Sequence, residues 1–324
     1  LRLLSGFCFA GLYIVAESWL NDRATNETRG KLLSLYMIVT YAGVGGGQLL
    51  LNLASPSEFP LFILTSVLIS VAVVPLLLSA GSPPKYQESV NISLLAVYRL
   101  SPLGIVSMFS VGLVTAAFFA LGPVYGQRMG LNVEYISYFM TAAVVGTVIL
   151  QAPIGVLSDR FDRRIVLTIT TLLTSVAAVL CVFASQISTN LLLLAVAIFG
   201  GLALPLYSVC IAYTNDHLNP NQMIAASGAL VLTSGLGAVV GPILIASFMD
   251  HFGEQAMFWV IAAIHALTGL FALYRMTVSR AVPLDKQGPY TSTAVHPSGS
   301  AIESVQQYNR AEAIDDSTQA KIQR

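Results

Sequence analysis

Apolar runs about 20 residues long recur along this chain, and no other feature restricts its fold as tightly. Nine can be drawn, at about 1–20, 32–53, 59–81, 100–122, 135–157, 165–186, 190–214, 223–249 and 256–278. A helix rises about 1.5 Å per residue, so roughly 20 residues cross the ~30 Å hydrocarbon core of a bilayer. Each run is too long for a half-buried strand, and a membrane barrel would alternate polar and apolar residues. Charged residues make up only 10% of the 324, against roughly 25% in soluble domains. Water-facing surface has been given up to lipid. The sequence predicts an all-α polytopic membrane protein with nine transmembrane helices, its main partner being the lipid bilayer.

Net charge is zero, with 16 basic and 16 acidic residues, which removes the electrostatic case for nucleic acid. Cys8, Cys181 and Cys210 fall in apolar runs without CxxC or Cys/His spacing. They read as small hydrophobes, and neither a disulfide framework nor a metal site is implied. The opening Leu1-Arg2-Leu3-Leu4 lies already inside an apolar run and lacks the marks of a signal peptide. Basic residues set the orientation. With the loop after the first run placed inside, that side carries Arg23, Arg29, Lys31, Lys85, Arg99, Arg160, Arg163 and Arg164, against Arg128 alone opposite. Such a bias marks the cytoplasmic side. Residues 82–99, with Pro83, Pro84 and Lys85, read as a cytoplasmic linker. Residues 281–324, rich in Pro, Gly, Ser, Thr and Gln, read as a disordered cytoplasmic tail.

The chain also repeats itself. A gapless shift of 194 residues lays Leu12-Tyr13 on Leu206-Tyr207, Val15 on Val209 and Asn21-Asp22 on Asn215-Asp216. Further along it lays Gly43 on Gly237, Gly47 on Gly241 and Leu50 on Leu244. Chance matching of apolar sequence would mostly pair leucines; these identities favour Tyr, Asn, Asp and Gly. Runs one to three are therefore counterparts of runs seven to nine, while runs four to six have no counterpart ahead of residue 1. The repeat predicts twelve helices in two six-helix halves, with the first three absent here. Residues 1–81 would close the first half and 100–280 would form the second.

One polar cluster interrupts this pattern. Residues 155–164 read Gly-Val-Leu-Ser-Asp-Arg-Phe-Asp-Arg-Arg. Such a cluster can be a solvated face that only fixes topology. It also resembles the cytoplasmic loop motif of the major facilitator superfamily of secondary transporters. Gly155, Leu157, Asp159, Arg160, Arg163 and Arg164 match that motif, and Asp162 replaces its second glycine. The resemblance covers about residues 1–280 and is nearest to a bacterial permease subgroup. It implies parallel six-helix halves around a central pathway. It further implies a conformational latch, in which Asp159 caps a helix N-terminus of the opposite half near Lys31–Leu35. Arg163 would pair with Asp216, and Asp22 would serve the corresponding loop of the first half. Asn-Asp is equally a plain turn pair.

Other positions divide between function and packing. Arg2, with Gly6 and Ala10 at four-residue spacing, resembles the family's fourth-helix motif tied to proton coupling, or is simply a basic residue at a helix end. Glu17 sits one turn inside an apolar run, and its repeat mate is Ile211. An acid there costs a few kcal/mol toward the bilayer centre and less near its edge. It is a coupling or substrate residue, or a carboxylate reaching the interface beside Trp19. Tyr13, Tyr207, Tyr213, Ser110, Thr115, Phe118 and Phe119 are pathway candidates by resemblance, although interfacial aromatics explain several equally well. Gly43, Gly47, Gly237, Gly241 and Pro242 allow close helix approach and bending, and the run ending in Pro242 resembles the family's gating-helix motif. His265 reads as a satisfied packing histidine.

Together these features predict a monomeric secondary transporter of the bacterial inner membrane. It would move a small organic solute by alternating access, coupled to protons and without a cofactor. No phosphate-binding loop is present, which argues against ATP drive, and no catalytic cluster suggests an enzyme. The alternative is a non-transporting membrane sensor or scaffold on the same fold.

Overall fold

The computed structural model describes residues 4–9, 11–12, 15, 29–78, 93–218, 220–279, 281–284, 287–288 and 290. Residues 4–9, 11–12 and 15 are helical, inside the first predicted run. The elements that follow are α1 (Arg29–Leu49) with a 3-10 turn at Leu50–Leu53, α2 (Pro60–Leu78), a short α3 (Leu94–Leu100), α4 (Pro102–Arg128) and α5 (Val133–Arg160). Next come α6 (Arg163–Ile187), α7 (Thr189–Ala203), α8 (Leu206–Asn215), α9 (Pro220–Phe252) and α10 (Ala256–Val278). Among the described residues, six spans are long and apolar enough to cross a membrane, α7 and α8 forming one of them together.

Local chemistry marks the helix ends. The Asn132 side chain accepts the Tyr135 N–H at 2.9 Å, and Ser188 accepts that of Leu191 at 3.2 Å, each satisfying a donor that the first turn leaves free. Gly130 closes α4 with a φ of 78°, a left-handed conformation open to glycine. Leu131 then donates back to the Gly126 carbonyl at 2.9 Å.

Two stretches depart from expectation. The run predicted as one helix over 190–214 divides at Leu204 and Pro205, because Pro205 has no N–H to continue the ladder. Hydropathy is continuous across the break and conceals it. The stretch expected as a linker is helical from Leu94 onward. Ser93 caps that helix by accepting the Ala96 N–H at 3.2 Å, and Val97 is fully buried.

The helices from α4 onward pack as pairs: α4 along α9, α5 along α7, and α6 along α10. Glycine brings the first two pairs into backbone contact. A Cβ at Gly146 of α5 would lie 1.7 Å from the Ala197 carbonyl oxygen of α7, and one at Gly200 of α7 would lie 2.4 Å from that of Ala143. Cβ atoms at Gly237 and Gly241 of α9 would meet the carbonyl oxygens of Phe109 and Leu113 at 2.2 and 2.1 Å. Gly43 and Gly47, their repeat mates, have no described atom within 4 Å of such a Cβ. The close packing is therefore seen at only one of the two repeat positions.

Between the pairs lies an aromatic core. Phe118 stacks on Phe139 at 5.8 Å and Tyr125 meets Phe258 edge-on at 5.1 Å. Phe118 is 2% exposed and packs within this core. Ser110 accepts from Thr268 across the α4–α10 contact at 2.8 Å. His265 is buried, but neither ring nitrogen has a hydrogen-bond partner among the described residues, which corrects the expectation of a satisfied histidine.

α1 runs antiparallel along α5. Asn52 donates to Ser137 Oγ at 3.0 Å, Thr141 donates to the Gly45 carbonyl at 3.3 Å, and Tyr41 packs with Val144. The start of α1 thus lies at the same end of the bundle as Arg160.

Candidate functional site: the arginine turn between α5 and α6

The site grows from a two-residue turn. α5 ends at Arg160, Phe161 is extended, and Asp162 caps α6 by accepting the Arg164 N–H at 3.0 Å. The residue that replaces the motif's glycine is therefore an N-cap. Asp162 also receives the Arg164 guanidinium, with Nη2 at 2.7 Å from Oδ2. Burial opposes ionisation of Asp162, but these bonds outweigh it and hold its carboxyl below the usual range. Nη1 of Arg164 donates to the Ser279 carbonyl at 2.7 Å, tying the end of α10 to the turn.

This cap places Arg163 at the first position of α6, where its side chain is 2% exposed. An arginine offers five N–H donors and cannot shed its charge. Nε donates to Ser158 Oγ at 3.2 Å, and Nη1 donates to Asp216 Oδ1 at 2.6 Å and to the Ala212 carbonyl at 3.4 Å. Nη2 donates to Asp159 Oδ1 at 3.0 Å and to the Gly288 carbonyl. One buried cation thus joins α5, α6, the end of α8 and the segment after α10. The arrangement is mechanical; it holds chain segments in register.

Asp216 is 3% exposed and accepts a second bond from the Gly288 N–H at 3.2 Å. Burial pushes its carboxyl up to about 6, against the opposing pull of Arg163 and the Gly288 N–H. Beside it, burial pushes His217 down, while the Tyr213 carbonyl, 2.9 Å from Nδ1, acts the other way.

The structure brings together Gly155, Asp159, Arg163, Arg164 and Asp216 of the predicted motif. Leu157 and Arg160 point outward and are exposed. Asp159 accepts from Arg163 and from the Tyr290 N–H at 2.7 Å, so among the described residues its backbone donor is Tyr290 and not the start of α1. Tyr207 and Tyr213 are buried, 6% and 4% exposed. Pro242 is half-buried within α9. Arg2, Tyr13, Glu17 and Asp22 lie outside the described residues.

Sequence reasoning missed Gly288 and Tyr290, placing both in a featureless tail. They bind mainly through backbone groups, which any residue carries. The one available signal was an aromatic residue two positions after a glycine in an otherwise polar segment.

A family model described as Major Facilitator Superfamily matches residues 103–305, from the start of α4 into the tail. Similar curated proteins include the uncharacterized MFS-type transporter YcaD of Escherichia fergusonii, 26% identical over 265 residues, covering 81% of this chain and 68% of that protein. The proteins of the same name from Escherichia coli O139:H28 and Salmonella arizonae are each 27% identical over the same coverage.

Proposed function

Because the chain belongs to the major facilitator superfamily, we propose that it is a secondary active transporter, moving a small organic solute across a bacterial inner membrane by alternating access. The helical, multi-pass architecture of the described residues and the likeness to MFS-type transporters support a membrane transporter. The finer reading rests on one observation. A fully buried arginine at one end of the bundle is held by two carboxylates from separate chain segments.

In this reading the arginine turn faces the cytoplasm and is a latch. While Asp159, oriented by Arg163 and Asp216, caps the start of α1, the cytoplasmic ends of the two units stay closed. When the bonds part, the units rock and open inward. The antiparallel contact of α1 with α5 supports this, because the start of α1 then lies at the same end of the bundle as the arginine turn. Residues 1–81 belong to the first unit, 100–280 to the second, with 82–99 as a cytoplasmic linker and 281–324 as a cytoplasmic tail. Proton coupling would run through Glu17 and Arg2, with Tyr13, Tyr207 and Tyr213 along the pathway, in a monomer.

The test uses inside-out membrane vesicles with a pH-sensitive dye, screened against small organic solutes. Asp159→Asn keeps insertion but lowers solute-driven proton flux several-fold, and Glu17→Gln removes the pH response while leaving solute binding. Wild-type flux in Asp159→Asn would reject the latch; a wild-type pH response in Glu17→Gln would reject its coupling role.

A further inference from the structure

Beyond α10 the chain returns across the arginine turn. Gln287 shapes the approach, its N–H donating to the Leu284 carbonyl at 3.2 Å and its amide to that of Val282 at 3.2 Å. Gly288 then uses both of its peptide groups: the carbonyl accepts from Arg163 and the N–H donates to Asp216 at 3.2 Å. Tyr290 adds its N–H to Asp159 at 2.7 Å.

The Tyr290 ring fixes the register. It lies on Gly155, with Cδ1 and Cε1 only 2.6 and 2.7 Å from where a Cβ would stand, so the motif glycine is the floor of its socket. The hydroxyl end is buried and has no hydrogen-bond partner among the described residues. The ring thus packs against the core of the second unit. By contrast, a Cβ at Gly288 would meet nothing within 4 Å, so that position tolerates a side chain.

We propose that Gly288 and Tyr290 form an autoinhibitory strap, whose Tyr290 N–H occupies the Asp159 carboxylate and whose ring fills the Gly155 socket, so that the latch cannot engage the first unit. The proposal rests on the latch reading above. A polar tail touching a charged turn at random would bind through side-chain charge. This segment binds through three backbone groups and one ring in a glycine-floored slot, the arrangement of a specific peptide ligand carried on the same chain.

The test measures spin-label distances in the full chain in lipid, between labels at Leu35→Cys on α1 and Val156→Cys on α5, both exposed positions, with the three native cysteines replaced. Tyr290→Ala keeps the peptide N–H and removes the ring. It should raise the ratio of the short-distance to the long-distance population on the order of tenfold, as expected for loss of one half-buried aromatic anchor. Gly288→Ala should match wild type. Asp159→Asn added to Tyr290→Ala should return the distribution to the long distance, because the freed latch then lacks the negative charge that a helix N-terminus favours. A Tyr290→Ala distribution superimposable on wild type overturns the strap. If Asp159→Asn still shifts the distribution in that case, the latch stands without it; if neither change moves it, both fall.

Discussion

Removing Asp216 should destabilise the protein more than removing Asp216 and Arg163 together. The Arg163 side chain is 2% exposed and that of Asp216 is 3%, with 2.6 Å between Nη1 and Oδ1. Deleting one member of such a pair strands the other, at a typical cost of about 3–5 kcal/mol. Asp216→Ala leaves Arg163 with Asp159 at 3.0 Å, but Asp159 is 43% exposed and its contribution is screened. The net cost is then about 2–3 kcal/mol. Adding Arg163→Met removes the stranded charge and places a flexible apolar chain in its volume, so the double variant should recover about half of that loss. Arg163→Met alone behaves differently, because a carboxyl can take up a proton and a guanidinium cannot lose one. Stranded Asp216 has a folded pKa raised still further above its unfolded value. Its favourable contribution is complete below the unfolded value, near 4, and is lost as pH rises through the folded one. Arg163→Met is therefore mildest at acid pH, whereas the loss in Asp216→Ala grows as pH falls through the wild-type Asp216 value of about 6. The assay is built into the chain. Cys181 and Cys210 are fully buried, so after Cys8→Ser a fluorogenic maleimide reports unfolding on heating in detergent. A double variant as unstable as Asp216→Ala would refute the claim that a stranded guanidinium carries the cost.

Two further expectations use the same thermal readout. Because burial raises Asp216 to about 6, its contribution to stability grows as pH falls through that value and shrinks as pH rises through it; wild type should gain on Asp216→Asn between pH 7 and pH 5, and a constant difference would contradict the assigned pKa. Gly146→Ala puts a methyl 1.7 Å from a backbone oxygen that cannot rotate away, costing about 1–3 kcal/mol or more, while Gly43→Ala meets nothing described and should stay within about 0.5 kcal/mol; equal effects would show that the α5–α7 seam is not held by glycine.

Much of the architecture could be read before any coordinates. Hydropathy located the long helices, because a bilayer imposes one length and one composition on each of them. The 194-residue repeat put Asp216 at the end of α8, where the structure finds it against Arg163. Other features left no trace in the pattern. Pro205 sits in a run whose hydropathy never falters, so the break between α7 and α8 was read through. Phe118 has the same chemistry whether it lines a pathway or stacks on Phe139, and only packing separates the two. Gly43 and Gly237 are identical in sequence, but one meets a carbonyl and the other nothing described. Asp162 looked like a defect in a motif, although an aspartate is among the best helix caps. Gly288 and Tyr290 dock mostly through peptide groups, and a peptide group carries no signature.

The glycine seams have a consequence for how such a molecule can move. Where two main chains touch without intervening side chains, sliding by one residue would drive a Cβ into a carbonyl, so α4 with α9 and α5 with α7 travel as welded struts. Shape change is left to joints padded by side chains, and the α1–α5 joint, with its flexible Met37 beside Tyr41, is one of these. Evolution can thus retune the stroke at that joint by exchanging a few side chains, while the struts themselves remain uneditable.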